Sequence, residues 1–379
     1  MQAGLIHIHG SGHPVAPEQS ITAFGVSDQP FIVLGAVGPA HESQMTDLLT
    51  RVAKKHRLEM QEVQAGTYGT RPAFVRDLVS ALQREGVPLL VEAVDKVFCL
   101  VASLVNCHVL PPSAGSAPGE IDLRVRNDFA DFLYRALPDG VVESFLAACR
   151  LDSAEATRAS LDQLLGWARR ETGNDEEEAL LLDGIARNVV ESIQDFERIV
   201  AEAPMEYRSF LPAPSLGERA PPNWLLPAYL SLMNLYARID RFHEGRGRNL
   251  MLVHSKQGRQ DAAQREGESP TAQGVDADAL IRAGAERVFG SRATLAFVRS
   301  GDSAGLMVAE VIAGHVRRVL HDHMAERAIS DTAFQAFIKI WEATDAVGGA
   351  GLNLVLPTAA VQRLQQRALQ HFADLAESA

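Results

Sequence analysis

Residues Leu5 to Pro14 read LIHIHGSGHP, and no other stretch constrains the fold of this chain as much. Leu5 to His9 has the character of a short strand running into a Gly-Ser-Gly turn. A strand sends successive side chains to opposite faces, so His7 and His9 emerge on one side and Ile6 and Ile8 on the other. Gly10 and Gly12 permit a sharp exit that residues with a Cβ make only with difficulty.

The pattern continues as a mixture of strand and helix signals. Leu5–His9, Ile21–Val26 and Phe31–Val37 are expected to form a three-stranded meander with Gly/Pro/Asp-rich turns. Met45, Leu48, Leu49 and Val52 follow at helical spacing, and a second helix is expected over Ala73–Glu85. Val87–Val94 is a short β-branched run suited to a buried strand, closed by Asp95-Lys96 and followed by an apolar helix from Val97 to Cys107. PPSAGSAPG, residues 111–119, has linker composition. Beyond it lies an almost purely helical block to about Phe242, whose acidic run Asp175–Glu178 belongs at a helix start. Strands return at Asn249–His254 and Thr294–Val298, then a strong amphipathic helix over Ala304–Met324 and a helical tail interrupted by Gly348-Gly349-Ala350-Gly351. The polar stretch from Ser255 to Gly274 reads as a loop. Strands separated by helices imply an α/β sheet.

Bulk properties narrow the class. Of 379 residues, 46% are hydrophobic and 22% charged, which suits a globular protein with a real core. The formal net charge of -12 argues against a broad basic footprint for nucleic acid, though a local groove survives that sum. Cys99, Cys107 and Cys149 have no CxxC spacing, so reduced, buried thiols are expected. Neither a secretory signal nor an apolar run of membrane-spanning length is evident, which points to a cytoplasmic protein. No GxSxG elbow and no phosphate loop occurs.

Several short segments, in order, resemble the bacterial and phage-associated family known as domain of unknown function 3800. Its first strand ends in Asp-Glu-Ser-Gly, matched here by His9, Gly10, Ser11 and Gly12. Its next ends in Leu-Gly-Ala-Val, matched by Leu34, Gly35, Ala36 and Val37. His254-Ser255 fall where a later strand ends in aspartate, and Val94-Asp95-Lys96 resembles another strand ending. Ser300 or Ser303 followed by Gly305-Leu306-Met307-Val308-Ala309-Glu310 resembles its closing helix, and Glu62 matches an acidic position. The resemblance covers roughly residues 1–110 and 245–325.

The resemblance implies a ribonuclease-H-like mixed sheet. Residues 1–119 and 246–325 would form the α/β domain, 120–245 a large helical insertion and 326–379 a helical extension. It further implies two-metal phosphodiester hydrolysis, in which several carboxylates clamp two divalent ions. Here, however, histidine, glycine, serine and methionine replace most of the matched polar positions, and Glu310 alone keeps a charge, with Glu62 as a second. The expected protein is therefore a catalytically degenerate one, binding nucleic acid or a partner through His9, Ser11, His254, Ser255 and Arg317. The helical insertion would supply the surface for a protein partner or a second copy, and no resident cofactor is expected. The alternative is an active nuclease with a rebuilt site of Glu310, Glu62 and Asp302. A third is a partner-binding module in which the cleft plays no part. His9, His254 and Glu310 could together hold a divalent ion: zinc through imidazole, or magnesium or manganese through oxygen. The plainer readings are histidines buried in hydrogen bonds, Glu310 as a helix-surface carboxylate near Arg317, Asp95 as a helix cap, and the arginines and lysines around 256–318 as a solvated face.

Overall fold

The computed structural model describes residues 4–11, 30–64, 71–110, 120–212, 226–243, 250–256, 277–344 and 349–377. Its centre is a six-stranded mixed sheet in the order β5-β4-β1-β2-β3-β6. The strands are β1 (Leu5–Ser11), β2 (Phe31–Ala40), β3 (Leu89–Asp95), β4 (Leu250–Ser255), β5 (Ala293–Val298) and β6 (Gly351–Val355). β1, β2 and β3 run antiparallel in succession, while β4 lies parallel to β1, β5 to β4 and β6 to β3. All strands but β2 therefore end at the same edge of the sheet. In open α/β sheets that carboxyl edge is where ligands bind.

The meander differs from the one expected. Ile21–Val26 lies outside the described residues, and the third antiparallel strand is Leu89–Asp95. The C-terminal extension is also not helical throughout. Gly351–Val355, which starts at the last glycine of the segment read as a connection, pairs in parallel with β3. Five residues beside glycines carry too short a pattern to announce a strand, and β3 supplies the hydrogen bonds that make it one.

The helices sort by the faces they cover. On the first face pack α1 (Glu42–Lys55), α3 (Pro72–Arg84), α11 (Ala304–Met324), α12 (Asp331–Glu342) and α13 (Thr358–Glu377), around Val33, Val37, Val91 and Ala93. The short α2 (Met60–Gln64) adjoins α1. On the second face, α9 (Leu226–Phe242) and α10 (Ala277–Phe289) bury Ile6, Ile8, Ala36 and Leu90. Thus α9, expected as the last helix of the insertion, covers the sheet instead. α4 (Lys96–Leu104), which runs into a π turn at Val105–Val109, leads into α5 (Glu120–Ala136), α6 (Asp139–Leu151), α7 (Ala154–Arg170) and α8 (Glu176–Glu202). These build their own core around Phe145, Leu161, Leu164 and Trp167. Asp175 caps α8 by accepting from the Glu178 N–H at 2.9 Å, the role its acidic run implied. Among the described residues no helix is long and apolar enough to cross a membrane.

Candidate functional site at the carboxyl edge

The first strand divides as its alternation requires. Ile6 and Ile8 enter the α9–α10 core, and His7 and His9 turn toward α11. α11 lies unusually close to the sheet, and two glycines make that approach feasible. A Cβ on Gly305 would meet the His7 ring at 2.3 Å, and one on Gly35 would meet the Ala309 carbonyl oxygen at 2.8 Å.

His9 and Glu310 come together as expected, with Nε2 and Oε2 3.6 Å apart. The Ser300 hydroxyl, in the turn between β5 and α11, donates to the same Glu310 oxygen. Burial holds the His9 imidazole below its ordinary pKa, against the raising effect of Glu310. It is therefore neutral near pH 7, and its Nδ1 is buried without a hydrogen-bond partner among the described residues. Ser11 and Ser255 end β1 and β4 at this edge, half-buried.

His254 does not join them. It pairs with Ile8 in the parallel β1–β4 ladder, so its ring points to the α9–α10 face. There its Nε2 meets the Tyr236 hydroxyl at 2.8 Å, and burial pushes its pKa down to about 3. The convergence of His9, His254 and Glu310 on one ion is corrected by this register. Glu62 and Asp302 are not gathered at Glu310 either. Glu62 accepts from the Glu59 N–H at 2.8 Å and pairs with Arg71 at 3.6 Å, while Asp302 pairs with Arg299 at 2.7 Å. Among the described residues no three His, Cys, Asp or Glu side chains form a metal-holding group. His13, Arg259 and Arg265 lie outside the described residues, and Arg292 of the expected basic face is paired with Asp240 at 2.7 Å.

A second cluster, not foreseen as a unit, anchors the start of α11. Ser303 caps the helix by accepting from the Leu306 N–H at 3.2 Å, donates to Glu42 at 2.9 Å and lies 3.3 Å from His7 Nδ1. Glu42 also accepts from the Ala304 N–H. His7 is fully buried and Ser303 nearly so. Ser303 stands directly before the amphipathic run Ala304–Met324, but the carboxylate reaching it from α1, 261 residues away in sequence, leaves no local signal.

Further along the edge, Asp95 caps α4, accepting from the Phe98 N–H at 2.9 Å and the Tyr134 hydroxyl at 3.1 Å. Lys96 beside it is 1% exposed. Comparison with known proteins yields no match. No family model fits the chain, and no curated protein or solved structure matches it.

Proposed function

We propose that this chain is a ribonuclease-H-like protein whose hydrolytic centre has been lost, and which acts as a nucleic-acid- or partner-binding component. The strand order supports the first part. An antiparallel β1-β2-β3 unit, with β4 and β5 laid parallel beyond β1 and a closing helix across it, is the order expected of such a sheet. The resemblance to the domain of unknown function 3800 family would make it a bacterial or phage-derived cytoplasmic protein, in a defence or mobile-element setting.

The observation that carries the loss of hydrolysis is the state of Glu310. Its carboxylate is held by Ser300 and faces an imidazole, and the matched strand ends bring His9 and Ser255 rather than acids. A magnesium pair demands hard, anionic oxygen ligands converging from several directions. This donor set does not fit one. A neutral imidazole beside a single occupied carboxylate can shuttle a proton or hold a ligand by hydrogen bonds, and supplies no clamp for a phosphodiester in transit. The helical block adds binding surface, with Leu123, Leu151, Leu180 and Met205 exposed on it.

The test is cleavage. Purified full-length chain incubated with single-stranded RNA, single-stranded DNA and duplex DNA in magnesium or manganese is expected to leave all three intact. Cleavage that disappears in Glu310→Ala would overturn the reading and restore the nuclease alternative.

A further inference from the structure

β5 is the terminal strand of the sheet, and among the described residues no strand pairs with its outer side. Which main-chain groups it leaves open follows from its ladder. The Lys256 N–H, just past β4, donates to the Val298 carbonyl at 2.7 Å, so Val298, Ala296 and Thr294 turn their peptide groups toward β4. Ala293, Leu295 and Phe297 turn theirs outward. Sheets commonly protect such an edge with lysine, proline, a bulge or a covering element. Residues 293–298, ATLAFV, carry no charge and no proline, their register with β4 is unbroken, and none of the six is buried.

α10 packs over this end of the sheet, and its two flanks differ. On one side Gly284 lies against Met233 and Tyr236 of α9. On the other, the Arg282 guanidinium sits over the Phe297 ring, 4.6 Å from its centroid. Glu286 follows Arg282 one turn later on the same flank, and both are exposed. The flank that overhangs the open strand therefore reads cation, then anion, along α10. A two-fold axis reverses that order in a second copy, so the pattern is complementary to itself.

We propose that two copies of this chain join through β5, antiparallel about a two-fold axis, into one continuous sheet. An axis at Leu295 sets that residue against its own mate and Ala293 against the partner's Phe297. The outward peptide groups of each strand then meet those of the other, and no charges are opposed between the strands. Above them the two α10 helices run antiparallel, and Arg282 faces the partner's Glu286 on each side of the axis. The inference is independent of the proposed loss of hydrolysis, and it assigns the second copy to the sheet rather than to the helical block.

The experiment is sedimentation velocity on the full chain over a rising concentration series. A dimer with a Kd of about micromolar strength is expected, as suits a small interface. Arg282→Glu and Glu286→Arg each place like charges across the axis and weaken the dimer by at least about tenfold. An equimolar mixture of the two variants restores it, because each then meets its opposite charge. Leu295→Pro, which removes an outward amide and leaves the β4 ladder intact, also favours the monomer. In the parent dimer the Leu295 and Phe297 amides exchange slowly with deuterium. A parent that stays monomeric, single charge variants that associate as the parent does, or a mixture that stays monomeric would each overturn the proposal. Slow exchange at those two amides in a monomer would overturn it as well, since the chain would then cover this edge itself.

Discussion

Lowering the pH should unfold this protein earlier than its composition implies, and the reason lies in three buried imidazoles. Burial pushes His108 and His254 down to about 3 and His315 to about 4. In the unfolded chain each takes a proton near pH 6.5, whereas in the native state each stays neutral to well below that. The unfolded state therefore binds more protons throughout the interval between, and the native state loses stability as pH falls below 6.5. At pH 5 each imidazole costs about 2 kcal/mol relative to pH 8, and the three together about 6 kcal/mol, comparable with the whole stability of a typical domain. His7, His9, His243 and His323 are lowered as well and act in the same direction. Glu92 and Asp95 oppose it, because burial raises their pKa and the native state protonates them first. Two carboxylates against seven imidazoles leave the sign unchanged. The assay is urea unfolding at pH 8, 7, 6 and 5, repeated with His108→Leu. His108 is the cleanest probe, since its Nε2 has no hydrogen-bond partner among the described residues and only Ser160 lies near its other nitrogen, at 3.5 Å. The variant should match or exceed the parent at pH 8 and gain about a further 2 kcal/mol on it by pH 5. Stability that stays level between pH 7 and pH 5, in parent and variant alike, would refute the reasoning.

Other perturbations follow from the same contacts. Glu92, fully buried at the centre of β3, is met by Arg238 at 3.0 Å and by the Asn353 amide at 2.9 Å. Arg238 also donates to the carbonyls of Val91, Gly349 and Gly351. Arg238→Ala should cost roughly 3–5 kcal/mol in urea unfolding by stranding that carboxylate; a loss below about 1 kcal/mol would show the network to be dispensable. Gly305→Ala should lower stability by about 1–3 kcal/mol through its clash with the His7 ring, and Gly305→Ala combined with His7→Ala should recover much of it. Tyr236→Phe removes the hydroxyl at His254 and should cost about 1–3 kcal/mol, without any effect on binding at the opposite face. A binding change in that variant would contradict the assignment of the two histidines to different faces.

The sequence was most legible where a local rule decides the outcome. Alternation in LIHIH separated the isoleucines from the histidines correctly, and the apolar spacing in α1 and α11 announced helices close to where they occur. Asp95 and Asp175 behave as the caps they resemble. What escaped depends on distant partners. β6 is a strand because β3 offers an edge, and α9 covers the sheet because Ile6, Ile8 and Leu90 need cover on that side. The Glu42–Ser303–His7 contact joins three elements that no window of sequence contains.

The fate of His254 shows most sharply why a site is harder to read than a fold. Its position near the end of a strand was inferred correctly. Its face was not, because in a ladder the face follows from which residue it opposes, and a slip of one residue reverses it. Opposite His9 it would have stood next to Glu310, and an imidazole pair with a carboxylate would have been a credible zinc site. Opposite Ile8 it is an aromatic core residue between Tyr236 and Phe297. The same parity puts Ser255 on the His9 side, half-buried at the edge. The register thus separates His254 from the edge that His9 and Glu310 share.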